Sequence, residues 1–243
     1  MKTKLALFLA LVGMVVAPMT VSATEVFNSS LSSPGVYWGT GNINSGWDVL
    51  TATNSDGSTL QLGLEAITRY VGPITPTTND YWYTPNAGSL ANWDFAFSVN
   101  TGAAPLSAYQ YSITVTDDTT FTSTTFNPTL LPDNGQANSS GIVCNGCAMQ
   151  SGDDGFQNAE NLGFAFLGGG PLAFNPDAAD FYSITLRALP TSGSATDPSV
   201  TINLSPIAPT PEPSSLLLLG TGLLGLAFVA FRKAKSSGMV LSM

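Results

Sequence analysis

The 243-residue sequence has no histidine, only two cysteines, and seven lysines and arginines against sixteen acids. Histidine is the commonest general base and metal ligand near neutral pH. Its absence removes every Ser-His and Cys-His nucleophilic arrangement, and most hydrolase mechanisms with them. Positive charge is confined by position as well as scarce. Lys2 and Lys4 lie at one end and Arg232, Lys233 and Lys235 near the other, leaving Arg69 and Arg187 for everything between. All the acids except Glu212 fall in that middle stretch, so it holds fifteen acids against two bases, a net charge of −13. Nucleic acid, which is bound by neutralising phosphates with Lys and Arg, is excluded as a partner. Solubility as a monomer and retention of divalent cations are both compatible with such a surface. No long helical period occurs before Ser214.

Long apolar runs are present only at the ends. MKTKLALFLALVGMVVAPMTVSA places Lys2 and Lys4 before an apolar stretch from Leu5 to Ala17 and the small residues Val21-Ser22-Ala23. This is the pattern of a signal peptide, here cleaved after Ala23. An uncleaved anchor is the alternative, although Leu5–Ala17 alone is short for spanning. At the other end, Ser214 to Phe231 gives eighteen uncharged residues rich in Leu, Gly, Ala, Val and Phe. That length predicts a transmembrane helix over 214–231, with a buried core helix as the alternative. Gly220, Gly222 and Gly225 are tolerated in such a helix. Arg232, Lys233 and Lys235 follow at once, which turns the C-terminus toward the cytoplasm. The organisation expected is a signal peptide at 1–23, an exported domain at 24–207 and a membrane tail at 208–243.

Pro211-Glu212-Pro213, the apolar run from Ser214 and the basic cluster at Arg232 and Lys233 resemble, in order and spacing, the C-terminal sorting signal called PEP-CTERM. The resemblance implies an exported bacterial protein, anchored transiently in the inner membrane by its tail. An exosortase-type membrane protease then processes it near the tripeptide for release or attachment at the cell surface. The residues Ser236 to Met243 extend beyond the basic cluster, where members of the family often stop sooner.

About 187 residues remain, enough for one domain with its own core. Period-two alternation recurs at Leu60–Ala66, Trp93–Val99, Tyr109–Val115, Leu162–Phe166, Tyr182–Leu186 and Val200–Leu204, predicting at least six strands. The turn-rich segments NSDG, TPNAG, LPDNG and GGGP lie between them. Many short strands with one polar face each predict an all-β fold, a single antiparallel β-sandwich of jelly-roll or immunoglobulin type. The segments TLQLGLEAITRY, NWDFAFSVNTG, FQNAENLGFAF and FNPDAADFYSITLRAL resemble, in order, an uncharacterised bacterial β-rich domain found ahead of this sorting signal. That resemblance implies the sandwich and brings no ligand.

Within the exported part, Cys144-Asn145-Gly146-Cys147 is the most distinctive feature. Cys-x-x-Cys suggests redox exchange when a βαβ pattern accompanies it, which none does here. The oxidising destination points to a local disulfide between Cys144 and Cys147, closing a turn centred on Asn-Gly. Zinc would need two further ligands, and the sequence has no other Cys and no His. Asn54 and Asp56 before Gly57, and Asp153 and Asp154 before Gly155, are oxygen-rich enough to be calcium candidates, but neither matches an EF-hand loop and hairpin turns account for both. No other cofactor is implied. Paired carboxylates could hydrolyse glycosides, but Asp117-Asp118 and Asp153-Asp154 read as turn residues, and Tyr81-Trp82-Tyr83 as core aromatics rather than a sugar-stacking platform. Two classes stay open. One is a non-enzymatic cell-surface or matrix protein, adhesive or associated with extracellular polysaccharide as in a biofilm. The other is a carbohydrate-binding or glycan-cleaving domain.

Overall fold

A strand whose side chains alternate between apolar and polar gives one face to a core and the other to water, and two such sheets close on each other. The computed structural model describes residues 22–32, 35–37, 42–54, 57–131, 136–139, 142–145, 152–168, 174–191, 197–206 and 215–237. It falls into two compact units, Met1–Pro206 and Ile207–Met243.

The first unit contains two sheets. The larger runs in the order β1 (Ser22–Ser29), β2 (Trp47–Thr53), β3 (Thr59–Thr68), β6 (Trp93–Asn100), β11 (Gly155–Glu160), β9 (Gln136–Ser139) and β10 (Ile142–Asn145), with β4 (Gly72–Pro73) beside β3. The smaller runs β5 (Asp80–Trp82), β13 (Ser199–Ser205), β12 (Tyr182–Pro190), β7 (Tyr109–Asp117) and β8 (Thr122–Phe126). The expected antiparallel pairing holds except between β5 and β13, which are parallel, because β5 is reached from β4 by a connection between sheets rather than by a hairpin. All the described strands pair among themselves, so the unit is self-contained.

One core lies between the sheets. Leu60, Leu62, Leu64 and Ala66 from β3 and Trp93, Phe95, Phe97 and Val99 from β6 meet Ile113, Val115, Ile184, Leu186, Val200 and Ile202 from the facing sheet. Five of the six predicted strands are therefore present with the expected inward residues. The sixth is not: residues 162–164 form a turn and α1 (Ala165–Gly168) follows, while the strand there is the preceding β11. Asn161 explains the difference. Its Oδ1 accepts from the N–H groups of Ala91 (3.0 Å) and Gly163 (2.9 Å), and its Nδ2 donates to Ala91 O (2.9 Å) and Asp94 Oδ1 (2.6 Å), so the chain turns around a buried amide instead of extending. Gly163 packs so closely on residues 89–90 that a Cβ there would lie 2.3 Å from Ser89 O.

The larger sheet is also covered on its outer face. Leu31 packs with Trp47, Val49 and Ala96 in a second apolar cluster. The covering segment is stitched down by Gln157, whose Nε2 donates to Gly35 O (2.5 Å) and Ser98 Oγ (3.0 Å) while its Oε1 accepts from Tyr37 N (3.1 Å). The smaller sheet has an open outer face, where Thr125, Thr114, Thr185 and Thr201 stand in register across four strands.

Asn161→Ala leaves the N–H and C=O of Ala91 without their buried partners and should cost about 3 kcal/mol in urea unfolding. Gly163→Ala forces the 89–90 backbone apart and should cost about 2 kcal/mol or more. A loss below about 0.5 kcal/mol for both would refute this account of the turn.

Candidate functional site

The described residues of the second unit form one helix, α2 (Ser215–Ser237). The leucine-rich sequence favours it, and the Pro residues at 211 and 213 lie before its first turn, where they cannot interrupt its hydrogen bonds. Side chains are described over 219–233 and all are exposed there. Among the described residues, no helix is long and apolar enough to cross a membrane. The guanidinium of Arg232 sits 5.8 Å from the ring centre of Phe228, one turn earlier, so the basic cluster begins against the apolar surface of the same helix. Pro211, Glu212 and Pro213 lie outside the described residues.

The structure distributes the other candidates without gathering them. Asn54 organises a tight turn: its backbone N–H donates to Ser58 O (2.9 Å), and its Nδ2 donates to Ser58 Oγ (2.9 Å) and Tyr109 OH (2.8 Å). Asp56 lies outside the described residues. Asp153 O accepts from Leu106 N (2.7 Å) and Asp154 O from Thr101 N (2.8 Å), so both carbonyls hold the 101–106 connection in place. Among the described residues, no group of three His, Cys, Asp or Glu side chains could hold a metal ion. Cys144 is on β10, opposite Ala137, and Cys147 lies outside the described residues, so the pairing expected of them does too. Asp117 ends β7 and caps the turn that follows, its Oδ1 accepting from Thr119 N (2.8 Å) and Thr120 N (3.0 Å). Tyr81 and Tyr83 are core residues; Tyr83 packs 5.3 Å from Trp93 between ring centres, and Tyr81 OH donates to Gly46 O (2.6 Å).

Asp48 and Glu65 are acids that sequence reasoning passed over. Both are fully buried, and none of their carboxyl oxygens has a hydrogen-bond partner. They stand on opposite faces of the larger sheet: Asp48 pairs with Leu64, which faces the core, and Glu65 follows it on the covered outer face. Burial pushes the Glu65 carboxyl up to about 9. Burial, and then the charge of Glu25, pushes Asp48 up to about 7. The signal was there to be read, since Glu65 stands in the apolar stretch from Leu62 to Ile67. Asp94 shows the contrast: burial raises its pKa, but the Asn161 amide and Arg69, 3.9 Å away, oppose the shift.

Comparison with known families resolves the tail. A family model described as the PEP-CTERM protein-sorting motif matches residues 209–233. The tail is a PEP-CTERM signal. No curated protein and no solved structure matches the chain. PEP-CTERM proteins are exported and are processed by exosortase, a membrane enzyme, on the way to the cell surface or to secretion. The match begins two residues before Pro211 and ends at Lys233, so it takes in the tripeptide, the start and body of α2 and the first two residues of the basic cluster. The PEP-CTERM assignment covers the tail and leaves the β unit, in which the buried carboxyls of Asp48 and Glu65 lack hydrogen-bond partners, to be judged by its own chemistry.

The buried acids make stability depend on pH. In the folded state Glu65 keeps its proton up to about 9, whereas the unfolded chain releases it near 4.5, so its contribution falls as pH rises between those values. Asp48 adds the same sign between 3.8 and about 7. The urea midpoint should therefore fall steadily from about pH 5 to about pH 9. Glu65→Gln, which keeps the shape without a titrating proton, should flatten the upper part of that profile and stabilise by at least about 1 kcal/mol near pH 8. A wild-type profile that rises over this range would contradict the burial described.

Proposed function

We propose that this is a non-enzymatic surface or matrix protein, processed by exosortase, whose exported domain associates with extracellular polysaccharide. In this reading residues 1–23 are a cleaved signal peptide. A mature chain starting at Thr24 keeps the β1 pairings from Thr24↔Thr51 through Val26↔Val49 and on to Ser29↔Trp47. The uncharged run from Ser214 to Phe231 crosses the inner membrane once, and Arg232 and Lys233 hold its end in the cytoplasm. In this reading a membrane protease meets the tripeptide just outside the membrane, where its two prolines cannot join a helical hydrogen-bond ladder. The tail match carries the processing half of the reading.

The polysaccharide half rests on the open face of the smaller sheet. Thr114 and Thr125 share a hydroxyl hydrogen bond of 2.9 Å, and Thr185 and Thr201 one of 2.8 Å. Ser123, Thr116, Ser183 and Asn203 form a second registered row. Ranks of hydroxyls about 4.8 Å apart offer alternating donors and acceptors to a polyhydroxylated chain.

In a host with an exosortase, the mature protein should begin near Thr24 and end near Pro211-Glu212-Pro213. Alanine at those three positions should leave export intact and accumulate a longer, membrane-bound form; normal release of that variant would make the tail an ordinary anchor. Separately, Thr114→Val with Thr185→Val removes two hydroxyls while keeping β-branched side chains. Folding should survive, and co-sedimentation with host polysaccharide should weaken by about fivefold or more. Unchanged sedimentation would refute the role given to this face.

A further inference from the structure

We propose that the end of the sandwich from which the chain departs toward α2 docks on a lipid bilayer through aromatic loop tips. Strand register shows what lies at that end. β3 finishes at Thr68, opposite Trp93 at the start of β6. Tyr182, at the start of β12, pairs with Asp117 at the end of β7 and with Leu204 near the end of β13. The Trp93 and Tyr182 rings are 5.9 Å apart, so these strand ends of the two sheets coincide. Turns 69–71 and 118–121, Phe181 and the exit at Pro206 therefore share one end. The first strand begins at the other end, where Ser22 pairs with Thr53 and Thr53 with Thr59.

The shared end carries large apolar side chains that are exposed. Tyr70 is 86 % exposed, Val71 74 %, Phe121 88 % and Phe181 51 %. Elsewhere among the described ectodomain residues, only Leu130 at 76 % is comparable to the first three. Phe181 is tied to the Phe121 turn, since Asp118 N donates to Phe181 O (2.8 Å) and Phe181 N to Thr119 Oγ1 (3.0 Å). Tyr70 and Phe121 both lie in the left-handed region, at φ of 62° and 58°, where Gly or Asn is less costly than an aromatic residue. An outward ring kept at a conformational cost marks a functional position. Arg69 stacks behind Tyr70, 4.8 Å from its ring centre, so the tip presents an apolar ring with a cation behind it.

Chain length selects the occupant. The eight residues 207–214 reach at most about 29 Å when fully extended. If the apolar run is in the membrane, the reading given above on which this inference rests, the departing end cannot lie far from the lipid surface. Tyr70 and Val71 on one turn, and Phe121 on another with Phe181 tied to it, suit the water–lipid interface, where amphipathic rings settle at headgroup level. The net charge of −13 repels anionic headgroups, so the leaflet favoured is zwitterionic. Docking holds the tripeptide against the bilayer and limits the orientations in which it meets a membrane protease.

The tail-free protein ending at Pro206 tests this by flotation with phosphatidylcholine vesicles. It should float with them, and adding phosphatidylglycerol should not strengthen binding. Tyr70→Asn with Phe121→Asn should lower binding by about tenfold or more, while the unfolding midpoint is held or raised because Asn accepts the left-handed conformation. Leu130→Asn should change binding little. Failure of the wild type to float, or equal flotation of the double variant, overturns the proposal. So does loss of polysaccharide binding in the double variant without any vesicle binding, which would make this end a glycan surface. The cleavage assay uses the full-length chain, so either reading can fail while the other stands.

Discussion

The central strands of the larger sheet, β3 and β6, are buried on both faces, and much else in the ectodomain depends on that. A sheet with one wet face can carry acids outward at no cost; β3 has no wet face near Gly63 and Glu65. A Cβ at Gly63 would stand 2.6 Å from Leu31 Cδ2 and 3.0 Å from Trp47 Cε3, so the covering segment can lie flat only over a glycine. Glu65 is held on the same covered face, and burial leaves protonation as its route to neutrality. Gln157 is retained there because its amide satisfies the backbone of the cover at Gly35 and Tyr37. The smaller sheet, open on one side, uses Thr and Ser for its outer rows instead. The difference between the two sheets decides which face is available to a partner.

Legibility in the sequence follows the same division. β7, β12 and β13 alternate cleanly because one face is wet, and their inward residues could be read from period two alone. β3 and β6 were also recovered, since large apolar side chains mark the core face against smaller or polar ones. β1, with nearly every residue exposed at the sheet edge, offers no alternation, and its first two residues overlap the expected signal-peptide boundary. The turn at 162–164 was misread because Leu162 and Leu167 are buried at either side of it, and the residue that bends the chain, Asn161, acts through hydrogen bonds to residues 91 and 94, some seventy positions earlier. No local pattern contains that information. The tail was the opposite case. Tripeptide, apolar run and basic cluster are contiguous, and their meaning lies in order and spacing, so sequence sufficed. The aromatic end was hidden, because Tyr70, Phe121 and Phe181 are neighbours only once the register of two sheets is known.

Charge is divided sharply between the β unit and the ends of the chain. The ectodomain contains no lysine, and its two arginines are both engaged with acids: Arg69 lies 3.9 Å from Asp94, and Arg187 forms a fork with Asp197. The basic clusters are thereby confined to the flanks of the two terminal apolar runs. Orientation in a membrane is set by Lys and Arg within a short distance of such runs, whereas Asp and Glu count for little. A lysine-rich exported domain would place competing charge immediately before Ser214 and blunt the asymmetry across the run. With none there, Arg232, Lys233 and Lys235 are unopposed. The acidic domain and the basic tail are therefore two sides of one distribution of charge along the chain.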